Sequence, residues 1–193
     1  MRHPRILVFS GSIRGGSYNT QLAALVAKQL VMADADVTRI SLADYPMPLY
    51  DGDHEREKGV PEAAHKLKRL MQEHQGVFIA CPEYNTAITP LLKNTLDWIS
   101  RLNDPGEPPA AAFKNRVFAI GSASTGALGG IRGLIGTRTI LEIGLGALLI
   151  PDMIMVPNAA EAFDDKGDLR NERSMASLNA LVKRLITETG ARV

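Results

Sequence analysis

The chain holds a single cysteine, Cys81, so no disulfide can form within it, and that usage fits a reducing, cytoplasmic setting. No stretch approaches the roughly 20 apolar residues that cross a bilayer, which excludes a membrane-spanning helix. Met1 to Arg5 run straight into an apolar strand pattern and do not read as a secretory signal. A formal net charge of +1 removes any general attraction to nucleic acid or an anionic membrane. It equally removes the acidic field that docks electron-transfer partners. His3, His54, His65 and His74 are scattered without metal-ligand spacing, and no nucleophile elbow is present, so neither a metal centre nor hydrolysis has a candidate. The lone Cys81 has no C-x-x-C partner and, ending an apolar run, reads as a small buried hydrophobe. What remains is 193 residues, 45% of them apolar. That suffices for one α/β core, so one domain over residues 1–193 is expected.

The richest stretch lies near the N-terminus. Ile6 to Phe9 is an apolar run that empties into Ser10-Gly11-Ser12-Ile13-Arg14-Gly15-Gly16-Ser17-Tyr18-Asn19. From Thr20 the apolar residues Leu22, Leu25, Val26 and Leu30 recur at helical spacing. A strand, a hydroxyl-rich loop and a helix start make an anion site, because unpaired N–H groups and the positive end of the helix dipole both point into the loop. Ser12, Ser17, Asn19 and Thr20 can add neutral donors, and Arg14 adds a forked cation. The loop lacks the Gly-Lys-Ser/Thr of a nucleotide P-loop and the Gly-x-Gly of a dinucleotide fingerprint. A terminal monophosphate is therefore the expected guest. The competing reading is a plain helix cap, for which Ser, Thr and Asn are also common.

Strand and helix patterns alternate along the rest. Asp36 to Leu42 alternates as an edge strand would, and a loop from Ala43 to Val60 follows. The Asp51, Asp53, His54 and Glu55 cluster in that loop lacks the EF-hand positions and reads as a solvated charged segment. Pro61 opens a helix with Ala64, Leu67, Leu70 and Met71 inward. Val77 to Cys81 is continuous and apolar, as a central parallel strand should be. Pro82-Glu83-Tyr84-Asn85 leaves it before a helix near Pro90. Arg116 to Ile120 forms a fourth strand, and Gly121 to Gly130 opens a fourth helix. Ala147–Ile150 with Met153–Val156 supplies a fifth strand, and Met175 to Leu185 marks a closing helix. Five strands alternating with five helices predict a doubly wound parallel sheet with helices on both faces. The flavodoxin-like order 2-1-3-4-5 is the simplest, and it gathers the loops after strands one, three and four at the carboxyl edge, where ligands bind. By itself the Pro-Glu-Tyr-Asn segment could equally be an ordinary strand-to-helix turn.

Four motifs together carry a resemblance over nearly the whole chain. They are Gly11-Ser12-x-Arg14-x-x-Ser17-x-Asn19, Pro82-Glu83-Tyr84-Asn85, Leu92-Lys93-Asn94-x-x-Asp97-Trp98 and Ser124-x-Gly126-x-x-Gly129-Gly130. In this order they resemble the NAD(P)H-dependent FMN reductases, which include bacterial quinone and chromate reductases and azoreductase-like flavoproteins. The resemblance implies an FMN-binding flavodoxin-like enzyme in which NADPH or NADH delivers hydride to flavin N5 and electrons pass to quinones or similar small acceptors. Chromate, azo compounds and free flavin are further acceptor classes.

Carried over residue by residue, the resemblance implies that Ser12, Arg14, Ser17 and Asn19, with Thr20 beside them, hold the FMN phosphate. Pro82, Glu83, Tyr84 and Asn85 would line the ring edge, and Ser124 with Gly126 would approach the flavin from the fourth loop. No side-chain acid or base is expected to be essential, because the flavin carries the electrons. The alternative is a flavodoxin-type electron carrier that never meets NAD(P)H.

The resemblance further implies a homodimer or homotetramer. The seven glycines from Gly126 to Gly146 are expected to pack a helix closely at a subunit interface, and Trp98 to pack in the core or at an interface rather than on the flavin. No loop carries the arginine cluster that would mark a preference for NADPH.

Overall fold

The structure, a computed structural model, describes residues 3–192. In chain order the elements are β1 (Arg5–Ser10), α1 (Tyr18–Met32), β2 (Asp36–Arg39), α2 (Gly52–Lys58), α3 (Glu62–Glu73) and β3 (Gly76–Ala80). A short hairpin of β4 (Glu83–Tyr84) and β5 (Ala87–Ile88) precedes α4 (Pro90–Ser100). Then come β6 (Val117–Ala123), α5 (Ile131–Thr139), β7 (Leu148–Val156), α6 (Ala159–Ala162) and α7 (Glu172–Gly190).

The main sheet is parallel in the order β2-β1-β3-β6-β7. This is the expected 2-1-3-4-5 arrangement once the hairpin strands are set aside. Its register runs Leu7, Val77, Phe118, Leu149 across four strands. Strand alternation divides the core in two. Ile6, Val8, Phe78 and Ala80 pack on Leu22, Val26, Leu178 and Leu185 of α1 and α7. Leu7, Phe9, Val77 and Ile79 pack on Leu67, Leu92, Leu96 and Leu134 of α3, α4 and α5. Both faces of the central strands are covered, which is why β3 reads as an unbroken apolar run.

Five local expectations change. The edge strand, expected from Asp36 to Leu42, stops at Arg39, and Leu42–Asp44 forms a tight turn in which Ser41 Oγ accepts from Ala43 N–H. Residues 52–58, expected as solvated loop, form α2, because Asp51 caps it through Asp53 N–H at 2.7 Å. Glu55 ties it down by accepting from Tyr50 Oη and Arg101 Nε, both at 3.0 Å. The Pro82–Asn85 segment enters a hairpin whose turn residues Asn85 and Thr86 both have positive φ, 49° and 68°. Such a turn matches the right-handed twist of the strands it joins. β6 extends to Ala123, so Gly121 and Ser122 are strand rather than loop. The fifth strand is one piece, with a register shift opposite Phe118–Ile120 that lets edge-strand Pro151 sit without a ladder N–H.

Two buried cations fasten the far side. Arg116, 9% exposed, donates to the carbonyls of Met71 and Gln72 at the C-terminus of α3 and to those of Ala111, Ala112 and Lys114. Lys68, 3% exposed, pairs with Asp104 at 2.6 Å and Glu107 at 2.5 Å, pinning the Pro-rich loop of residues 101–114 onto α3.

Candidate functional site

The loop after β1 is locked at its root. Gly11 N–H donates to the Ala80 carbonyl at 2.8 Å, and the Gly11 carbonyl accepts from Thr89 Oγ1 at 3.0 Å. A side chain at Gly11 would meet Leu92 Cβ at 2.9 Å, so this position requires glycine for space. The loop then folds through hydroxyl turns, with Ser10 Oγ accepting from Ser12 N–H at 3.2 Å and Ser12 Oγ accepting from Arg14 N–H at 3.3 Å.

At the carboxyl edge a cleft of about 170 Å³ collects three loops. Ser12, Arg14 and Ser17 come from the first, Pro82, Glu83 and Tyr84 from the second, and Ala123, Ser124 and Thr125 from the third. Ser17 is only 3% exposed and stands at the N-cap of α1, yet its hydroxyl makes no capping bond, and the first turn of α1 has no acidic residue. The orphan N–H groups of that turn therefore face the cleft without a protein anion. Arg14 is exposed and, among the described residues, its side chain donates only to the neighbouring Gly15 carbonyl, at 3.2 Å.

Glu83, the one carboxylate in the cleft wall, is turned away. Its Oε1 accepts from Arg132 Nη2 at 3.0 Å and its Oε2 from Gly133 N–H at 2.8 Å, so it caps α5. Its backbone, with Pro82 and the half-exposed Tyr84, remains to wall the cleft. With the carboxylate diverted, the donor set suits a dianionic phosphomonoester such as that of FMN.

The remaining expected residues divide. Asn19 lines the cleft but is buried and spends its amide on strand β6, donating to the Ala123 carbonyl at 2.8 Å and accepting from Ala123 N–H at 3.0 Å. It positions the cleft wall. Thr20, one residue further around α1, faces a neighbouring hollow instead. Asn85 sits in the exposed hairpin turn, outside the cleft lining. Gly126 lies beyond the cleft, its N–H held by Ser124 Oγ at 3.2 Å. Tyr18, Ala123 and Thr125 line the cleft although no motif singled them out; their signal was only adjacency to residues that did.

The glycines near α5 are explained within the chain. A Cβ on Gly130 would lie 2.1 Å from Ser122 Oγ, and one on Gly133 would lie 3.1 Å from Glu83 Cβ. Close packing against β6 and the hairpin requires these two within one copy of the chain. Trp98 is fully buried, donates to the Pro48 carbonyl at 2.7 Å and stands edge-on to Tyr50 at 5.0 Å, so it anchors the segment of residues 45–50. Cys81 is also fully buried, and burial pushes its thiol pKa far up, with weaker opposing hydrogen bonds from Thr137 and Gly121. A roomier hollow, about 860 Å³, lies by His3, Arg5, Asp36 and Arg192 at the amino ends of β1 and β2. That is the wrong edge for a ligand of a doubly wound sheet.

The pattern that describes the NADPH-dependent FMN reductases matches residues 4–161, most of the chain. This chain belongs to that family. Membership makes the protein an FMN-dependent oxidoreductase drawing electrons from a reduced nicotinamide dinucleotide. Among its relatives is a quinone reductase of Escherichia coli strain K12, 36% identical over 71% of this chain and 69% of the relative. An NAD(P)H-dependent FMN reductase of Pseudomonas aeruginosa is 31% identical over 88% of this chain and 86% of its own. The solved flavoenzyme NAD(P)H:(acceptor) oxidoreductase of Paracoccus denitrificans superposes with a TM-score of 0.77 at 22% identity over 98% of both chains, which concerns the fold. Among the described residues of the reductase, no helix is long and apolar enough to cross a membrane.

Proposed function

We propose that the reductase seats the FMN phosphate on Ser12, Arg14, Ser17 and the first N–H groups of α1. The ring then lies along the Pro82–Tyr84 backbone and Ser124. The observation that carries this is the cleft's uncommitted donor set, from which the one carboxylate of its lining, Glu83, has been diverted. When bound, FMN supplies the two-electron chemistry, which no side chain here could perform. The protein's part is placement. Arg14 and Ser17 hold the phosphate, Asn19 fixes the distance between the first and third loops, and the Glu83 cap keeps the hairpin against α5.

We infer that quinones or similar small acceptors are reduced, with chromate, azo compounds and free flavin as further candidates. The name of the Escherichia coli relative supports a quinone. Donor and acceptor would use the same open side of the ring in turn.

That open side also supports a homodimer or homotetramer. At about 170 Å³ the cleft is smaller than the roughly 300 Å³ of pockets that bury drug-sized ligands, so one copy leaves the ring uncovered. Leu128, Ile135, Ile143 and Leu148 are 48–82% exposed, an apolar surface suited to a second copy. We place the whole chain, as one domain, in the cytoplasm, in keeping with its single buried thiol.

Anaerobic rapid mixing of the FMN-loaded protein with NADPH or NADH tests the reading. Flavin absorbance should bleach and return on adding a quinone. Persistent colour with both donors would make the protein a flavodoxin-type carrier instead.

A further inference from the structure

Beside the cleft lies a second hollow of about 300 Å³ whose polar groups, Ser12 apart, the proposed function leaves unused. Ser10 and Ser12 reach it from the loop after β1, Thr20 from α1, Arg39 from the end of β2, and Ser41 and Asp44 from the turn that follows. Ser12 lines both spaces, so they share a wall.

The hydroxyls here are half satisfied in one direction only. Ser10 Oγ accepts from Ser12 N–H, Ser12 Oγ from Arg14 N–H, and Ser41 Oγ from Ala43 N–H. Among the described residues, none of these three hydroxyls, nor that of Thr20, donates to any protein acceptor. For Ser10 this matters most, because it is only 6% exposed and buried donors normally find a partner. The Arg39 guanidinium makes no hydrogen bond or ion pair among the described residues. Three idle O–H donors, those of Ser10, Thr20 and Ser41, and an idle guanidinium converge on one space, and what they lack is an acceptor-rich anion.

Asp44 narrows the choice. A carboxylate on the wall accepts well from a sugar hydroxyl or a base amine, donors that a nucleoside brings and a bare inorganic phosphate lacks. The guest that satisfies both halves is a phosphomonoester carried on a nucleoside. A terminal phosphate, with three free oxygens, fits single convergent donors better than a bridging pyrophosphate does.

We propose that this hollow receives the 2′-phosphate of NADPH, with Arg39 as the specificity-determining residue that favours NADPH over NADH. The proposal rests on the reading that FMN occupies the neighbouring cleft, since that sets the nicotinamide end over the ring and leaves the adenosine end to run past Ser12. No sequence motif marked the site, because its charge is a single arginine and its hydroxyls come from three separate elements.

The test uses FMN-loaded protein, wild type and Arg39→Gln. Arg39 is exposed, so the fold should survive, and a melting curve checks this. Steady-state kinetics with each donor are paired with calorimetric titration of adenosine 2′,5′-bisphosphate, adenosine 5′-monophosphate and inorganic phosphate. In Arg39→Gln, KM for NADPH and Kd for the bisphosphate should each rise roughly tenfold or more. KM for NADH and affinity for FMN should stay unchanged. In the wild type, the bisphosphate should bind more tightly than the monophosphate or inorganic phosphate. Equal effects on NADPH and NADH, or tighter binding of inorganic phosphate than of the bisphosphate, would overturn the proposal while leaving the FMN cleft standing. A fall in FMN affinity in Arg39→Gln, with none in Arg14→Ala, would overturn both, because the hollow would then be the flavin phosphate's own seat.

Discussion

Asn19 and Ala123 stand 104 residues apart and are joined by two hydrogen bonds, so the start of α1 and the end of β6 form one rigid corner. That corner sets the spacing between the phosphate loop and the third loop. Asn19→Asp keeps an acceptor for Ala123 N–H but turns a second acceptor on its carbonyl. The expected result is a stability loss of ~1–3 kcal/mol, read by denaturant unfolding, and weaker FMN binding although Asn19 need not touch the cofactor. Unchanged stability would remove the corner from the account.

Arg14→Ala should leave the fold intact, since the side chain is exposed and bonds only to Gly15. A charge-assisted hydrogen bond is worth ~1.5–3 kcal/mol, so FMN affinity should fall roughly 10- to 150-fold in a fluorescence titration. Arg14→Lys should fall between, because an ammonium lacks the forked donor pair. FAD should bind worse than FMN to the wild type, as the cleft closes on a terminal phosphate.

Glu83→Ala removes the partner of Gly133 N–H at the head of α5. We expect a loss of ~1–3 kcal/mol in stability. Gly133→Ala approaches the same joint from the other side, by pressing a methyl group against Glu83. Both variants should loosen the hairpin and lower turnover with NAD(P)H and a quinone, while Arg132→Ala, at an exposed guanidinium, should do less.

Cys81→Ser should leave flavin reduction by NAD(P)H intact and cost stability only. The native thiol, fully buried and with a raised pKa, should resist alkylation at neutral pH until the protein unfolds. Loss of flavin reduction with FMN still bound would show that Cys81 does more than pack.

Glu107 gives a pH signature. Its carboxyl is held below its ordinary value of 4.5, mainly by the hydrogen bond from Lys68. A depressed folded pKa contributes stability that is present above 4.5 and lost as pH falls through the lowered folded value. Lys68 works with the opposite sign. Burial lowers its pKa, but the bonds to Asp104 and Glu107 outweigh that and leave it above 10.5, so its share fades only in strong alkali. Thermal melting followed from neutral pH down through the carboxylate range should show a shallower acid slope in Glu107→Gln than in the wild type.

Much of the architecture was legible from local pattern. Ile6–Phe9 and Val77–Cys81 are continuous apolar runs because β1 and β3 are covered on both faces, and Pro90 and Asp36 fall at the starts of elements they help define. The hairpin was not legible, since two-residue strands carry no periodicity. Neither was α2, a polar helix without an apolar stripe that is held by Asp51 and by Glu55 bonding to Tyr50 and Arg101.

In the site the division is finer. The chemistry on offer is written locally in the chain: a hydroxyl- and glycine-rich loop before a helix, one arginine within it, and two further loops at the same sheet edge. Those properties are local, because turn residues and helix starts follow from neighbours in the chain. Which donors stay free depends on packing between distant parts of the chain. Asn19 is consumed by Ala123, Glu83 by α5, and Gly130 and Gly133 by contacts beneath the hairpin, while Arg39 and Ser41 are brought beside Thr20. Partners of this kind lie tens of residues away, and a polar group's availability depends on whether packing has already given it one.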